Sequence, residues 1–189
     1  MQDRIREVTG KLEEYIRKEE YKGYDPYDGL MTPIMKMPIL RSNKLIRLGF
    51  QQVIKRLPIN IRKVIGIKKG LNPVTSGLAI QSYSYLSQVY PEKKEYYHVE
   101  IKKLLSKLIE QKSEGFSGYC WGYDFDWDAR YARTGAFQPT VVATSMITNG
   151  IHEYYKTYSD EEALKICESA ADFVINDLNR TYEGENFCF

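Results

Sequence analysis

The chain has 189 residues, of which 43% are hydrophobic and 28% are charged, and its formal net charge is +2. This composition is typical of one globular domain, or a piece of a larger one, and excludes a fibrous or disordered chain. No apolar run approaches the roughly 20 residues that cross a bilayer, and the N-terminus is unlike a signal peptide. Three cysteines (Cys120, Cys167, Cys188) without a CxxC pair and two histidines argue against a zinc site. We therefore expect a cytoplasmic protein without metal or cofactor.

The positive charge is concentrated in one part of the chain. Between Gly29 and Pro91 there is no Asp or Glu, whereas ten Lys or Arg residues occur. Such a block attracts anions, which here include an acidic glycan, a sugar phosphate or a phospholipid surface. Within it, 54–69 interleaves bulky apolar residues with cations, a pattern that predicts peripheral membrane binding or, alternatively, a solvated basic loop. Nucleic acid is not expected, because no recognised binding module accompanies the charge.

Helical periodicity predicts an all-α fold from the N-terminus onward. A first amphipathic helix is predicted over about 3–20, and a second over about 42–57, ended by Pro58. The apolar face of the first helix comprises Ile5, Val8, Leu12 and Ile16. A turn-rich loop over 22–29 separates the two helices.

Two similar helix pairs follow. An uncharged helix over about 73–89, opened by Asn72-Pro73, precedes an amphipathic helix over about 92–112. The apolar face of that second helix comprises Tyr97, Ile101, Leu104, Leu105 and Leu108. A second uncharged stretch runs from Pro139 to Ile151, and Ser159 with Glu162 then predicts a capping box for a helix over about 160–179. Its predicted apolar face comprises Leu164, Cys167, Ala171, Val174 and Leu178.

An uncharged helix followed by a half-charged one, twice over, is typical of helical hairpins whose inner helices surround a cavity. Counting the first two helices as a hairpin gives three hairpins, whereas a closed ring takes about six. We therefore expect a partial α/α toroid in a single domain over 1–189. Such a chain would be an excerpt, a truncated product or a subunit completed by a second chain.

The segment from Gly118 to Asp128 combines aromatic and acidic residues inside a long loop predicted over 113–138. Aromatic planes beside carboxylates suit a sugar ring, whose C–H face stacks while its hydroxyls are bound at the edge. Because residues two apart share a side of an extended segment, Asp124, Asp126 and Asp128 are predicted to line one wall. The alternative is an aromatic plug that closes a helical core.

Paired carboxylates perform glycoside chemistry, so Asp124 and Asp126 are the candidate catalytic residues, with Asp25 or Asp28 as alternative partners. The candidate saccharide contacts are Trp121, Tyr123, Trp127, Asp128, Arg130, Gln138, Tyr27 and Asp28. Arg130 and Arg133 could orient a uronate or phosphate, or instead pair with the neighbouring aspartates. The pattern is a poor match to a calcium loop, since Ala129 and Gly135 occupy positions that need Gly and Glu.

Several short motifs resemble a group of uncharacterised (α/α)6-toroid proteins similar to six-hairpin glycosidases. These motifs are Tyr24–Leu30, Arg56–Arg62, Asn72-Pro73, Trp121–Trp127 and Gln138–Thr144. Members of that group often accompany surface-polysaccharide gene sets, and they are usually longer by a further half ring. The resemblance implies a toroid fold and a role in polysaccharide metabolism, as a hydrolase, lyase or epimerase acting on a saccharide or acidic glycan. A non-catalytic scaffold or glycan-binding partner in polysaccharide assembly is the alternative.

Overall fold

The structure is a computed structural model that describes residues 2–184 and 186–188, and the side chains of Gln2, Glu183, Asn186, Phe187 and Cys188 lie outside the described part. Helices account for 63% of the chain and strands for 4%, which confirms the all-α prediction. In the described residues the helices are α1 (Gln2–Lys18), α2 (Pro38–Ser42), α3 (Lys44–Arg56), α4 (Pro73–Val89), α5 (Lys94–Glu110), α6 (Val141–Tyr158) and α7 (Glu161–Asp177). Within the same ranges, no helix is both long and apolar enough to cross a bilayer.

Two short antiparallel hairpins, three 3-10 turns and an isolated antiparallel bridge between Gly23 and Gly70 complete the secondary structure of the described residues. The strands are β1 (Trp127–Asp128), β2 (Arg133–Thr134), β3 (Thr181–Glu183) and β4 (Asn186–Cys188). In the first hairpin Trp127 faces Thr134 and Asp128 faces Arg133. The turns are Asp28–Met31, Pro33–Lys36 and Pro91–Lys93.

The chain divides into two compact units that are discontinuous in sequence. The first comprises the residues up to Asn72 together with Asp124–Ala136, and the second comprises Pro73–Tyr123 together with the residues from Phe137 onward. The first unit therefore contains α1–α3 and the β1–β2 hairpin. The second contains α4–α7 and the β3–β4 hairpin.

In the first unit, α3 packs on the 3-10 turn Asp28–Met31 and on β1 rather than along α1. The apolar face predicted for α1 remains open, since the exposed fractions of Ile5, Val8 and Leu12 are 60%, 56% and 54%. The predicted hairpin of the first two helices is therefore wrong. The reason is that α3 buries its polar residues Arg47 and Gln51 against the loops of this unit, together with Ile54.

In the second unit, α4 packs against both α5 and α6, and α6 packs against α7. The uncharged α4 and α6, which has no Asp, Glu, Lys or Arg up to His152, are thus neighbours, each with an amphipathic partner. Their backbones approach closely at Gly77 and Gly150, where a Cβ on Gly77 would lie 2.8 Å from Ile147 Cα. All five residues of the apolar face predicted for α5 are buried, as expected. Closure into a ring stays a prediction.

The joint between α6 and α7 differs from the predicted capping box. Ser159 ends α6 with a left-handed φ of 55°, and Asp160 is the N-cap of α7. Asp160 Oδ1 accepts hydrogen bonds from the amides of Glu162 and Ala163, both at 3.1 Å. Asp caps a helix as well as Ser does, so an S-x-x-E pattern next to Asp does not determine which residue is the cap.

The buried face of α7 also differs from the predicted one, by one residue throughout. Its buried residues are Ala163, Ile166, Ala170 and Phe173. Of the predicted face, Ala171 is exposed, and the others are half-buried, namely Leu164, Cys167, Val174 and Leu178. Two apolar series run along this helix, and the one containing the large ring is buried because an aromatic side chain buries more area. Phe173 is 1% exposed and meets the Phe116 ring edge-on, with centroids 5.7 Å apart.

Candidate functional site

The chain between α5 and α6 is shared between the two units. Residues 124–136, which include the β1–β2 hairpin, belong to the first unit, whereas 111–123 and 137–140 belong to the second. The candidate residues are therefore described unit by unit. Those of the first unit include the three aspartates of the acidic segment.

Asp128 is buried in the first unit, with its side chain 2% exposed. Arg47 Nε donates a hydrogen bond to Asp128 Oδ2 at 2.6 Å. The backbone of Asp128 is held as well, since its amide donates to Gln51 Oε1 at 3.0 Å and its carbonyl accepts from Gln51 Nε2 at 3.1 Å. Asp128 thus anchors the hairpin to α3, and this position contradicts its predicted role as a saccharide contact.

Asp126 is more open, with its side chain 37% exposed. Its Oδ1 accepts the Ala136 amide at 2.8 Å, and its Oδ2 lies 3.7 Å from Arg133 Nη2. Arg133 Nε in turn lies 3.8 Å from Asp128 Oδ1, so one guanidinium faces two carboxylates. This is the aspartate pairing foreseen for the arginines that follow the acidic segment. The other arginine, Arg130, is exposed and lies 5.4 Å from the centroid of the Tyr131 ring.

Asp124 is half-buried and lies against the backbone at Gly70. A Cβ at position 70 would overlap Asp124 Oδ2, so a larger residue there would displace the carboxyl from its present position. Gly70 is fixed in turn by two backbone hydrogen bonds to Gly23, each 2.9 Å long. Burial raises the pKa of the Asp124 carboxyl, and the negative charges of Asp25 and Asp28 raise it further.

Asp25 and Asp28 form the other side of this acidic group. The Asp25 amide donates to Asp28 Oδ2 at 3.1 Å, and the Tyr27 amide donates to Asp25 Oδ1 at 2.9 Å. Arg62 Nε donates to Asp28 Oδ1 at 2.7 Å, and Arg62 Nη2 donates to the Asp25 carbonyl at 3.0 Å. Burial raises the pKa of Asp28, although the hydrogen bond and charge of Arg62 oppose the shift. Asp28 is thus a buried, ion-paired support, a position that contradicts its predicted role as a saccharide contact. Asp25 is half-exposed.

The aromatic residues of the first unit near this acidic group carry cations on their faces. Lys55 Nζ lies 3.9 Å from the centroid of the Tyr27 ring and donates a hydrogen bond to its hydroxyl. Tyr24 has Arg62 and Lys69 at 5.9 and 6.0 Å from its ring centroid. Trp127 is half-buried in β1. These contacts leave Tyr27, which is 38% exposed, partly covered.

In the second unit, Trp121 has no exposed surface and its Nε1 donates to the Leu108 carbonyl at 2.8 Å. Its ring therefore cannot stack on a sugar, and the alternative prediction, an aromatic plug in a helical core, describes it. Tyr123 is half-buried, and its carbonyl accepts the Phe137 amide at 2.6 Å. Gln138 is exposed, and its backbone approaches Gly122 so closely that a Cβ there would overlap it.

Sequence reasoning missed Arg47, Gln51 and Gly70 as parts of this region. The Arg47–Asp128 pair spans 81 positions, and no local pattern joins residues so far apart. One signal was present, because Arg47 and Gln51 are four residues apart and therefore share a face of α3. Buried polar side chains need hydrogen-bond partners. Two polar residues on the face by which a helix packs therefore indicate that a polar group packs against that face.

The acidic group does not form a metal site, because no three His, Cys, Asp or Glu side chains converge to hold an ion among the described residues. The second unit contains a cavity of about 580 Å³ between the end of α4 and the end of α6. Two of its charged residues, Glu153 and Lys156, already pair at 2.6 Å. The first unit is the stronger candidate for the functional site, because its half-buried Asp124 carboxyl has a raised pKa and lies near Asp25 and Asp28.

Comparison with known proteins leaves the family of this chain open. No family model matches it, and neither the curated proteins nor the solved structures contain a significant match. The functional argument therefore rests on the chemistry of the site.

Proposed function

We propose that this chain is a carbohydrate-active α-helical protein that binds a saccharide at Asp124 and Asp25 of its first unit, with the buried Asp28 as their support. One observation carries the proposal: a half-buried carboxyl with a raised pKa lies beside two further carboxylates. Glycoside cleavage uses one carboxyl that is protonated and a second that is ionised, and environments that separate their pKa values assign the two roles. Asp124 fits the general acid. Asp25 fits the base or nucleophile.

The remaining residues of the site support these two roles. Arg62 neutralises Asp28 and holds the Asp25 carbonyl, which fixes the loop on which Asp25 lies. Gly70 lets the Asp124 carboxyl approach the backbone, which keeps water from one side of it. Asp126, the other predicted catalytic residue, is oriented by Arg133 and the Ala136 amide. We assign Asp126 to binding sugar hydroxyls, because its carboxylate is the more exposed one.

The variant Asp124→Asn tests the proposal. An amide keeps the size of the side chain but cannot donate an acidic proton, so we expect turnover to fall by about 10²–10⁴-fold, the usual contribution of a general acid. The measurement is release of reducing ends from a panel of neutral and acidic polysaccharides, with glycan-array binding in parallel. Retained glycan binding with lost turnover would identify Asp124 as the acid.

A matched control is Asp172→Asn, because Asp172 is exposed on α7. This change removes the same charge and should leave turnover as it is. Equal turnover in the wild-type protein and Asp124→Asn would remove Asp124 from the mechanism. Absence of both binding and turnover with every polysaccharide would remove the saccharide proposal itself.

A second candidate, a non-catalytic protein that associates with an anionic membrane surface, is favoured by exposed apolar residues within the basic part of the first unit. Val64 and Ile59 are 87% and 67% exposed, and Lys63 beside Val64 is exposed as well. Apolar side chains between cations are what interfacial binding requires.

The membrane candidate is tested by sedimentation with phosphatidylglycerol vesicles at low and high salt. We expect Lys63→Gln with Val64→Ser to weaken binding, because it removes one cation and one insertion point. Arg62 is left intact, since it is committed to Asp28. The control Lys165→Gln removes an exposed cation from α7, and it should bind as the wild-type protein does. Absence of binding at low salt would eliminate this candidate.

A further inference from the structure

The first unit contains a cavity of about 370 Å³, and four of its eight lining residues are cations. Its lining residues are Leu30, Met31, Met35, Lys36, Arg41, Arg47, Asp126 and Arg133. Four positive side chains and one carboxylate give the lining a formal charge of +3. The volume lies within the range of about 300–1,000 Å³ that is usual for small-molecule sites.

Two of these cations are not paired by the protein. Lys36 and Arg41 are exposed, and among the side chains that the structure describes neither has a carboxylate within ion-pair distance. Unpaired cations that share one concave surface repel each other, so a bound anion would relieve the repulsion. A merely solvated basic surface would place such side chains apart rather than around one cavity.

The other two arginines are held in place by the protein. Arg47 donates to Asp128 and to the Arg41 carbonyl, so its position is fixed before any ligand arrives. Arg133 lies 3.7 and 3.8 Å from its two carboxylates, distances too long for strong hydrogen bonds. Its guanidinium N–H groups therefore keep capacity for another acceptor. A pre-positioned guanidinium loses little entropy on binding an oxyanion.

We propose that this cavity binds a phosphate monoester. Three guanidinium groups and an ammonium supply more donors than the two oxygens of a carboxylate can use, whereas a phosphate presents three oxygens and nearly two charges. Leu30, Met31 and Met35 form an apolar floor for the group that carries the phosphate. That group is a saccharide, an identification that rests on the proposed function and on Asp126 as an acceptor for its hydroxyls.

The test uses the full chain and three soluble probes, inorganic phosphate, a hexose phosphate and the free hexose, with affinity measured by calorimetry at fixed ionic strength. We expect Arg41→Gln and Lys36→Gln each to weaken phosphate binding about tenfold, because each removes one charge-assisted hydrogen bond. Both side chains are exposed, so both variants should fold. The matched control is Arg56→Gln, an exposed arginine at the end of α3 outside the cavity.

Equal phosphate affinity in Arg41→Gln, Lys36→Gln and Arg56→Gln would overturn the proposal. A hexose phosphate that binds no tighter than inorganic phosphate would overturn the saccharide part, while the anion site would stand.

Vesicles containing phosphatidic acid distinguish the two sources of a phosphate monoester, a lipid headgroup and a soluble ligand. Binding to them that hexose phosphate displaces would assign the cavity to a lipid headgroup, and loss of hexose phosphate affinity in Arg41→Gln without any vesicle binding would assign it to a soluble ligand. The inorganic phosphate measurement is independent of turnover, so it distinguishes failure of this site from failure of the proposed function.

Discussion

At the scale of single residues, ionisation of the Asp124 carboxyl destabilises the folded protein, and the surrounding residues do not offset this cost. It is half-buried, beside Asp25 and Asp28, and its pKa is raised above the ordinary value of 3.8. A raised folded-state pKa means that the native protein holds this proton more tightly than the unfolded chain does. The stabilisation is present below the unfolded pKa and is lost as pH rises through the folded pKa.

The upward direction of this pKa shift leads to a prediction about stability as well as activity. The Asp124→Asn side chain cannot ionise. The stability that this variant gains over the wild-type protein should therefore be larger at neutral pH than at acidic pH. Urea unfolding curves at both pH values measure the difference, and Asp172→Asn serves as the control for removal of an exposed charge. A stability difference that is the same at both pH values would contradict the raised pKa. A variant that is stabilised yet inactive is what a functional carboxyl should give.

At the scale of helices, the close packing of α4 on α6 depends on two glycines. A Cβ on Gly150 would overlap the Gly77 carbonyl oxygen, which is backbone and cannot move aside. We expect Gly150→Ala to destabilise the protein by about 1–3 kcal/mol, the usual cost of overpacking. Thermal or urea unfolding measures the loss.

The control for this prediction lies on another helix. Gly49 in α3 has nothing within 4 Å of an added Cβ, so Gly49→Ala should stabilise the protein by about 0.5–1 kcal/mol through helix propensity. Opposite signs for the same substitution would show that packing, rather than propensity, determines the effect at Gly150. Equal effects at the two positions would contradict the close approach of α4 and α6.

Helix positions could be predicted from the sequence largely because they depend on local patterns. The uncharged helix predicted over 73–89 is α4 with the same ends, and the predicted ends of α1, α3, α5 and α7 agree within two residues. The short α2 was not predicted, and α6 continues to Tyr158, beyond the uncharged stretch predicted to end at Ile151. The cap and buried face of α7 were wrong for a physical reason, since two neighbouring residues were equally good caps and two apolar series ran along the helix. Local sequence does not distinguish such alternatives, whereas tertiary packing does.

At the scale of the whole molecule, sequence reasoning found the aromatic and acidic segment but not its division between two units. Trp121 and Asp124 are three residues apart, yet one belongs to the core of the second unit and the other to the acidic group of the first. The partners that decide this, Leu108 for Trp121 and Gly70 for Asp124, are remote from the segment. Contacts of that kind depend on the fold and leave no local pattern.

The Arg47–Asp128 ion pair also bears on how the protein forms during synthesis. The first unit includes 124–136, although the residues between 72 and 124 belong to the other unit. When synthesis has reached only the end of α3, the nascent chain therefore contains Arg47 and Gln51 but lacks the β1–β2 hairpin that pairs with them. The ribosome must release roughly the whole of α4 and α5 before that hairpin arrives, and closing so long a loop costs entropy. The first unit therefore cannot assemble completely until residues 124–136 have been synthesised.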